Sequence, residues 1–108
     1  MIIRQAQECD WKELSELLNN TFNTLYGSDF DKFSKWLMVP NQYTFVGIMD
    51  NKIVATQTIT IEHKLIHNYG LVAHSEDLAV SIRYRNQGLA KKMMDYCIEV
   101  CKEKGVST

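Results

Sequence analysis

The sequence has few of the residues that mark disulfide-rich, proline-rich or membrane-spanning proteins. Its 108 residues include 3 cysteines and 1 proline, and an odd number of cysteines favours reduced thiols over a disulfide framework. Two of them, Cys97 and Cys101, lie four residues apart on a predicted helix and are expected to face the core. No apolar run is long enough to cross a bilayer, and the first residues lack the apolar stretch of a signal peptide. We therefore expect a cytoplasmic protein that does not associate with membranes.

An excess of charge of one sign and metal-binding patterns are also missing. The chain has 12 Lys and Arg against 13 Asp and Glu, a net charge of −1, so we expect no surface for nucleic acid or anionic membranes. His63, His67 and His74 lack a tight ligand spacing such as His-Glu-x-x-His, and no cysteine pair joins them. We expect no metal site.

Apolar periodicity predicts one α/β domain over residues 1–108. Of the residues 45% are hydrophobic, which is enough for a single core. Alternation and helical spacing indicate a strand, two helices, an antiparallel hairpin, a further strand and a last helix. In chain order these elements are placed at residues 2–5, 10–22, 28–39, 43–49, 53–61, 71–80 and 89–104.

Three local predictions accompany these elements. Asp10 opens the first helix, and Glu13 completes a capping box three residues further on. The second helix begins at Ser28 or Asp29 and ends before the proline. The strand 53–61 is half buried, because its period of two gives it one moderately apolar face.

A glycine loop at the start of the last helix has the properties of a pyrophosphate site. The stretch 85–91 follows an apolar strand and opens a helix, so backbone N–H groups without helical partners point outward together at the positive end of the helix dipole. Gly88 has no side chain to keep a phosphate away. The cations beside it are Arg83, Arg85, Lys91 and Lys92. We expect an anionic cofactor to bind here.

The same stretch resembles the signature of the GCN5-related N-acetyltransferases, the GNAT superfamily. Their pattern Arg/Gln-x-x-Gly-x-Gly/Ala is fitted by Arg85-x-x-Gly88-x-Ala90. Within that superfamily, the segments 54–56, 61–67 and 70–80 are similar to the glucosamine 6-phosphate N-acetyltransferases. The resemblance implies an α/β (α+β) fold with a mixed, mostly antiparallel sheet flanked by helices.

The resemblance also implies that acetyl-CoA is the co-substrate. In the family, the strand that matches residues 78–80 pairs its backbone with the pantetheine arm, and the loop after it holds the pyrophosphate. The cofactor-binding residues implied in this chain are Leu78, Ala79, Val80, Arg85, Asn86, Gln87, Gly88, Leu89, Ala90 and Lys91.

The implied acceptor is glucosamine 6-phosphate, an amino sugar phosphate that is acetylated on its 2-amino group. Glu76 is the candidate to receive the amine proton, and a backbone N–H near Leu78 would polarise the thioester carbonyl. The segment 64–67 matches residues at the sugar phosphate. The implied acceptor-binding residues are Lys64, Leu65, Ile66, His67, Glu76, Asp77 and Leu78. The resemblance further implies a homodimer.

Departures from the family pattern keep other functions open. Asn86 and Ala90 stand where the family usually has glycine, although Asn tolerates left-handed turn angles. The chain stops at Thr108, where the family continues into another strand and a tyrosine that protonates the departing thiolate. We therefore expect a fold truncated after the cofactor-binding helix, with no general acid assigned. The alternatives are an acetyltransferase for another small amine, such as an amino acid or polyamine, and a non-catalytic CoA-binding remnant.

Overall fold

Four antiparallel strands form one sheet, and helices pack on both of its faces. The computed structural model describes residues 1–22, 29–65 and 69–106. The strands, in their order across the sheet, are β1 (Ile2–Gln5), β2 (Gln42–Met49), β3 (Lys52–His63) and β4 (Leu71–Val80). The helices are α1 (Trp11–Phe22), α2 (Phe30–Trp36) and α3 (Leu89–Glu103). The predicted α/β fold with a mostly antiparallel sheet is confirmed.

A tight turn joins β2 to β3. Asp50 and Asn51 have φ values of 53° and 59°, so both central residues adopt the left-handed conformation of a type I′ hairpin turn. Asp and Asn accept this conformation at lower cost than other side chains because their short polar groups can bond locally. The hairpin predicted from the sequence is confirmed, with Lys52 already in β3.

β3 is buried on both faces, so the prediction of a half-buried strand is wrong. Every residue from 54 to 59 is buried. Ala55 and Ile59 pack with Met93 of α3 on one face. Helices α1 and α2 cover the other face, where the Thr56 hydroxyl donates to a β2 carbonyl at 2.8 Å. Polar side chains on a strand that is buried on both faces need partners within the protein, and the Thr56 hydroxyl has one.

The start of α1 is fixed by a different contact from the predicted capping box. Asp10 lies directly before the helix, and its carboxylate accepts two hydrogen bonds from the Arg4 guanidinium, at 2.7 and 2.9 Å, and one from Gln7 N–H at 2.7 Å. Glu13 instead accepts from Ile53 N–H at 3.0 Å and ties α1 to β3. The hydrogen bonds from Arg4 hold the pKa of the buried Asp10 carboxyl below its usual value.

Helix α2 begins where one of the two predicted starting points places it. Asp29 is its N-cap, and its carboxylate accepts from Lys32 N–H at 3.1 Å. The other predicted start, Ser28, lies outside the described residues. Phe33 and Leu37 pack toward the cluster of buried residues on this side of the sheet.

Helix α3 closes the opposite face with a dry core. Met93 is fully buried and Cys97 is 3% exposed, and both pack against Phe45 and Ala55 of the sheet. Burial raises the pKa of the Cys97 thiol to about 12, so this group stays protonated. The expectation that the helical cysteines face the core is confirmed for Cys97, while Cys101 is half buried.

Candidate active site

β4 is an edge strand with a bulge in its second half. No strand in the described parts of the chain pairs with its outer edge. The pairing register shifts between Thr56 and Thr58, so Asp77 and Leu78 together stand opposite the single residue Gln57. Asp77 has a φ of 55°, the left-handed conformation that lets an extra residue fit into the strand. The bulge redirects side chains and leaves backbone polar groups available at this edge.

The bulge sends neighbouring side chains of β4 to different places. Leu78 and Val80 pack toward α3 on the dry face of the sheet. Asp77 lines a cavity on the opposite face, and Glu76 beside it is exposed. Glu76 and Asp77, the two carboxylates predicted to serve the acceptor, therefore lie at one point of the sheet edge.

A cavity of about 410 Å³ lies between α1, α2 and the sheet, and we call it the α1/α2 cavity. Its size falls in the usual range of small-molecule sites, about 300–1,000 Å³. Apolar side chains form most of its wall, and they are Leu14, Leu18, Phe33 and Trp36. Three charged residues also line the cavity, namely Asp29 and Lys32 at the start of α2 and Asp77 of β4.

A chain of hydrogen bonds forms the floor of the α1/α2 cavity. The indole Nε1–H of Trp36 donates to Thr44 Oγ1 at 3.0 Å, and Thr44 Oγ1 lies 2.8 Å from Thr58 Oγ1. An indole can only donate, so Thr44 accepts from it and shares a second hydrogen bond with Thr58. Trp36 is thus held in one orientation, with 37% of its surface exposed.

The loop before α3 adopts the left-handed backbone that its residue types permit. Asn86 has a φ of 64° and Gly88, the N-cap of α3, a φ of 76°. A Cβ placed on Gly88 would meet nothing within 4 Å. Glycine is therefore favoured here by the backbone conformation rather than by a close neighbour. The first-turn N–H groups of α3 lack helical partners and face outward.

A second cavity, of about 320 Å³, lies over this loop, and we call it the α3 cradle. Open space beside Gly88 and free N–H groups at the start of a 15-residue helix fit an anionic ligand. Six of the ten residues predicted to bind the cofactor line it. They are Val80, Arg85, Asn86, Gly88, Leu89 and Ala90, joined by Tyr84.

The cations near the α3 cradle are partly engaged. Arg85 Nε donates to the Val80 carbonyl at 3.1 Å, which anchors the loop to the end of β4. Lys91 Nζ lies 2.7 Å from Asp95 Oδ2, one turn further along α3. Gln87 and Lys91 are exposed and do not line the cradle. Backbone groups rather than side-chain charge are therefore the main feature of this site.

The described residues of the predicted sugar-phosphate segment, Lys64 and Leu65, do not line the α1/α2 cavity. Lys64 Nζ is 2.8 Å from Glu62 Oε2, and His74 Nε2 is 3.3 Å from the other Glu62 oxygen. The hydrogen bond from Lys64 is the main reason why the pKa of Glu62 is lowered. Lys64 does not line the cavity that Asp77 faces. Leu65 is exposed, and Ile66 and His67 lie outside the described residues.

Apart from Asp77, the residues of the α1/α2 cavity were not predicted from the sequence. The sequence alone indicates that Trp36 and Thr44 are packing residues and that Lys32 is a solvent-exposed charge on a helix. The available signal was the run of threonines on β3, which suggests a strand with polar side chains on an enclosed face. Five separate segments of the chain form the cavity, so no local sequence pattern predicts it.

Neither a metal cluster nor a membrane span is found in the described parts of the chain. Across residues 1–22, 29–65 and 69–106, no three His, Cys, Asp or Glu side chains are grouped so that they could hold a metal ion. Over the same ranges, no helix combines the length and the apolar character needed to cross a bilayer.

The sequence profile of the acetyltransferase (GNAT) family matches residues 11–108. The chain belongs to this family. Over 54 residues it is 39% identical to a glucosamine 6-phosphate N-acetyltransferase of Arabidopsis thaliana, a match covering 50% of this chain and 36% of that protein. A probable glucosamine 6-phosphate N-acetyltransferase of Oryza sativa subsp. japonica is 32% identical over 56 residues, covering 52% and 34%. The matched segments span about a third of these relatives' length.

Solved structures resemble the chain over nearly all of its length. The crystal structure of the Arabidopsis thaliana glucosamine-6-phosphate N-acetyltransferase superposes with a TM-score of 0.84 at 28% identity, covering 97% of this chain and 76% of that one. An aminoglycoside acetyltransferase from an uncultured soil metagenomic sample, in complex with sisomicin, has a TM-score of 0.85 at 28% identity, covering 98% and 72%. The predicted GNAT fold and the resemblance to glucosamine 6-phosphate N-acetyltransferases are confirmed.

Proposed function

We propose that this GNAT acetyltransferase moves the acetyl group of acetyl-CoA to the 2-amino group of glucosamine 6-phosphate. One geometric observation carries the proposal, namely that residues only three apart on β4 line the two cavities. Asp77 lines the α1/α2 cavity and Val80 lines the α3 cradle. Three residues of strand span roughly 10 Å. An acyl carrier held at the cradle and an amine in the cavity would thus meet at the bulge, and the plant relatives of that activity support this acceptor.

The fold offers separate groups for the two ends of acetyl-CoA. The free N–H groups at the start of α3 suit the pyrophosphate. The outer edge of β4 presents N–H and C=O groups that suit the amide groups of the pantetheine arm, because an extended amide chain can add to a sheet edge as a strand does. Together they would place the thioester beside Leu78 and Ala79.

The chemistry then needs an oxyanion donor and a proton acceptor. The amine nitrogen attacks the thioester carbonyl, a C–N bond forms, and the C–S bond breaks as the CoA thiolate leaves. A backbone N–H near Leu78 or Ala79 would stabilise the oxyanion, and a donor of this kind contributes roughly 3–4 kcal/mol. Glu76 is exposed beside the bulge and would receive the proton of the amine, directly or through water.

The cofactor assignment is tested at Gly88. We expect Gly88→Val to weaken CoA binding by more than about tenfold, because a β-branched residue disfavours the left-handed backbone and its side chain would fill the approach to the N–H groups. Gly105→Val is the matched control, since Gly105 has a φ of 90° just after the other end of α3. Calorimetric titration with CoA is the measurement. Equal affinity in the two variants would remove the pyrophosphate site from the α3 cradle.

The transfer itself is tested at Glu76. We expect Glu76→Gln to lower kcat by about 100-fold with little change in KM, since it removes a proton acceptor but keeps the side-chain shape. Glu99→Gln, an exposed carboxylate on α3, is the control. The assay is thiol release from acetyl-CoA with glucosamine 6-phosphate, glucosamine and a panel of other amines. CoA binding without turnover of any amine would favour a non-catalytic CoA-binding module.

A second candidate is an acetyltransferase for an amine acceptor that carries no phosphate. Two carboxylates, Asp29 and Asp77, face the α1/α2 cavity and suit a polyamine or an aminoglycoside. The structural neighbour that holds sisomicin supports this class. Faster turnover of an aminoglycoside or polyamine than of glucosamine 6-phosphate would favour it.

We also propose a cytoplasmic homodimer, which the resemblance to the glucosamine 6-phosphate N-acetyltransferases supports. Sedimentation velocity at several protein concentrations measures the oligomeric state. A monomer at all concentrations would contradict the dimer without affecting the proposal for the chemistry.

A further inference from the structure

We propose that Lys32 selects acceptors that carry an anionic group as well as the reacting amine. The inference rests on the proposed function in one respect, because it takes the α1/α2 cavity to be the acceptor site. It assigns a specificity-determining role to a residue of α2, at the side of the cavity away from the β4 bulge.

Lys32 is the one cation among the described residues that line the α1/α2 cavity. Its side chain is exposed and forms no ion pair within those residues. Lys64, by contrast, has its ammonium group 2.8 Å from Glu62 and does not line the cavity. Asp29 also lines the cavity at the start of α2, and its carboxylate accepts from the Lys32 backbone N–H at 3.1 Å. The Lys32 ammonium is available to an anion of the ligand.

The opposite wall of the cavity carries the complementary charge. Asp77 faces it from β4, next to the edge where the thioester would lie. An acceptor with an amine at one end and an anion at the other would place the amine near Asp77 and the anion near Lys32. The reverse orientation would place the anion beside Asp77 and the amine beside Lys32, so these two residues favour the productive orientation.

The wall between the two charges suits the body of a ring. Phe33 and Trp36 of α2 present aromatic surface, and the hydrogen bond from Trp36 to Thr44 fixes the indole. The floor adds the hydroxyl of Thr58 as a partner for a ligand hydroxyl. The chemical class that fits is a ring-shaped, hydroxylated amine with a phosphate or carboxylate substituent.

The test compares Lys32→Met with Lys35→Met. Lys35 lies on the same short helix, is exposed and does not line the cavity, so it controls for loss of charge on α2. We expect Lys32→Met to raise KM for glucosamine 6-phosphate about tenfold, with KM for glucosamine and kcat for both sugars within about twofold of wild type. Lys32→Arg should retain the preference because it keeps the charge. If the ratio of KM for glucosamine to KM for glucosamine 6-phosphate is the same in Lys32→Met and Lys35→Met, the inference is overturned.

A binding measurement separates this inference from the proposed function. Each sugar is added to the protein without acetyl-CoA while the NMR signal of the Trp36 indole N–H is followed. The two titrations give two dissociation constants for each variant. Tighter binding of glucosamine 6-phosphate that depends on Lys32 supports the inference even if the wild type does not acetylate that sugar. Equal affinity of the wild type for both sugars overturns it. If Lys64→Met abolishes the preference for glucosamine 6-phosphate over glucosamine and Lys32→Met does not, the inference is also overturned. The anion is then assigned to Lys64.

The anionic group can be a phosphate or a carboxylate, and the same titration distinguishes them. 2-Amino-2-deoxyglucuronic acid keeps the sugar ring and carries a carboxylate at C6, where glucosamine 6-phosphate carries its phosphate. Stronger Lys32-dependent binding of glucosamine 6-phosphate identifies the phosphate as the selected group. If 2-amino-2-deoxyglucuronic acid binds more tightly and with the same dependence, the selected group is the carboxylate.

Discussion

The two faces of the sheet differ in packing although the same strands supply both. On the α3 face, apolar side chains fill the space, and Phe45 meets Tyr96 edge to face with 5.3 Å between ring centroids. On the α1/α2 face, the residues that alternate with them include Thr44 and Thr58, and a cavity of about 410 Å³ remains open above. Alternation along β2 and β3 therefore separates a closed core from a ligand-sized space.

The two faces therefore serve different purposes in this small domain, one for stability and the other for binding. The α3 face excludes water, and it does so strongly enough to raise the pKa of Cys97 to about 12. The other face carries hydroxyl, indole and carboxylate groups whose hydrogen bonds leave one side free for a ligand. Substitutions on the first face should chiefly affect folding, and those on the second should chiefly affect the acceptor.

The largest effect is expected from opening the closed face. Met93→Ala should lower the free energy of unfolding by about 3 kcal/mol, because it removes a fully buried side chain and leaves a cavity. Met94 is the next residue on α3 and is 45% exposed, so Met94→Ala should change stability by less than about 0.5 kcal/mol. Urea denaturation of the two variants measures the difference. Equal losses would mean that α3 does not seal the sheet as described.

A smaller effect is expected at the polar contact that starts α1 on the open side. Asp10→Asn should cost about 2 kcal/mol at neutral pH, because it removes a buried carboxylate that accepts from Arg4 and Gln7. The folded-state pKa of Asp10 is lowered, so its contribution is present above the unfolded value and lost as the pH falls through the folded value.

The pH dependence makes the Asp10 prediction specific. The gap in unfolding free energy between wild type and Asp10→Asn should be constant above about pH 5 and shrink below about pH 4. Glu8→Gln in the same turn is the control, because Glu8 is exposed and, within the described residues, its carboxylate accepts a side-chain hydrogen bond from Ser34 alone. A gap that grows on acidification would contradict the assigned role of the carboxylate.

Local patterns were sufficient to predict most of the elements. The turn at Asp50 and Asn51 and the helix start at Gly88 follow from residue types that accept left-handed backbone, and the structure has both. The burial of β3 did not follow, because it depends on which helices cover its second face. The capping box at Asp10 failed for a similar reason, since Arg4 from another element takes up the carboxylate.

The two cavities differ in how far sequence can predict them. The α3 cradle lies within one stretch of chain, apart from the end of β4, so a short motif indicates its residues. The α1/α2 cavity draws Leu14, Lys32, Thr44 and Asp77 from four distant segments. Only the packing of α1 and α2 over the sheet brings these together, and that packing is a tertiary property.

The hydroxyl floor of the open face should contribute modestly to stability. Thr44→Val removes the acceptor of Trp36 Nε1–H and one partner of Thr58, at a cost of about 1 kcal/mol because water can reach the partly exposed indole. Thr60→Val, on the same side of the neighbouring strand, is the control and should cost less than about 0.5 kcal/mol. The Trp36 indole N–H chemical shift should move only in Thr44→Val. An unchanged shift would show that the indole has another acceptor in solution.

The smallest effect on stability is expected at Lys91, on the outer side of α3 and away from both faces. Its pair with Asp95 spans 2.7 Å between exposed side chains, and such pairs contribute roughly 0.3–0.5 kcal/mol. Its positive charge also lies in the first turn, where the helix dipole disfavours cations by a similar amount. Lys91→Ala should therefore leave the urea midpoint nearly unchanged.

The CoA affinity of Lys91→Ala should still fall modestly, and the loss should shrink as salt is raised, because Lys91 would attract the phosphates through solvent. Lys102→Ala at the far end of α3 removes a comparable exposed pair and should leave CoA affinity unchanged at every salt concentration. Equal CoA affinities for the two variants at low salt would show that the cradle binds through its backbone alone.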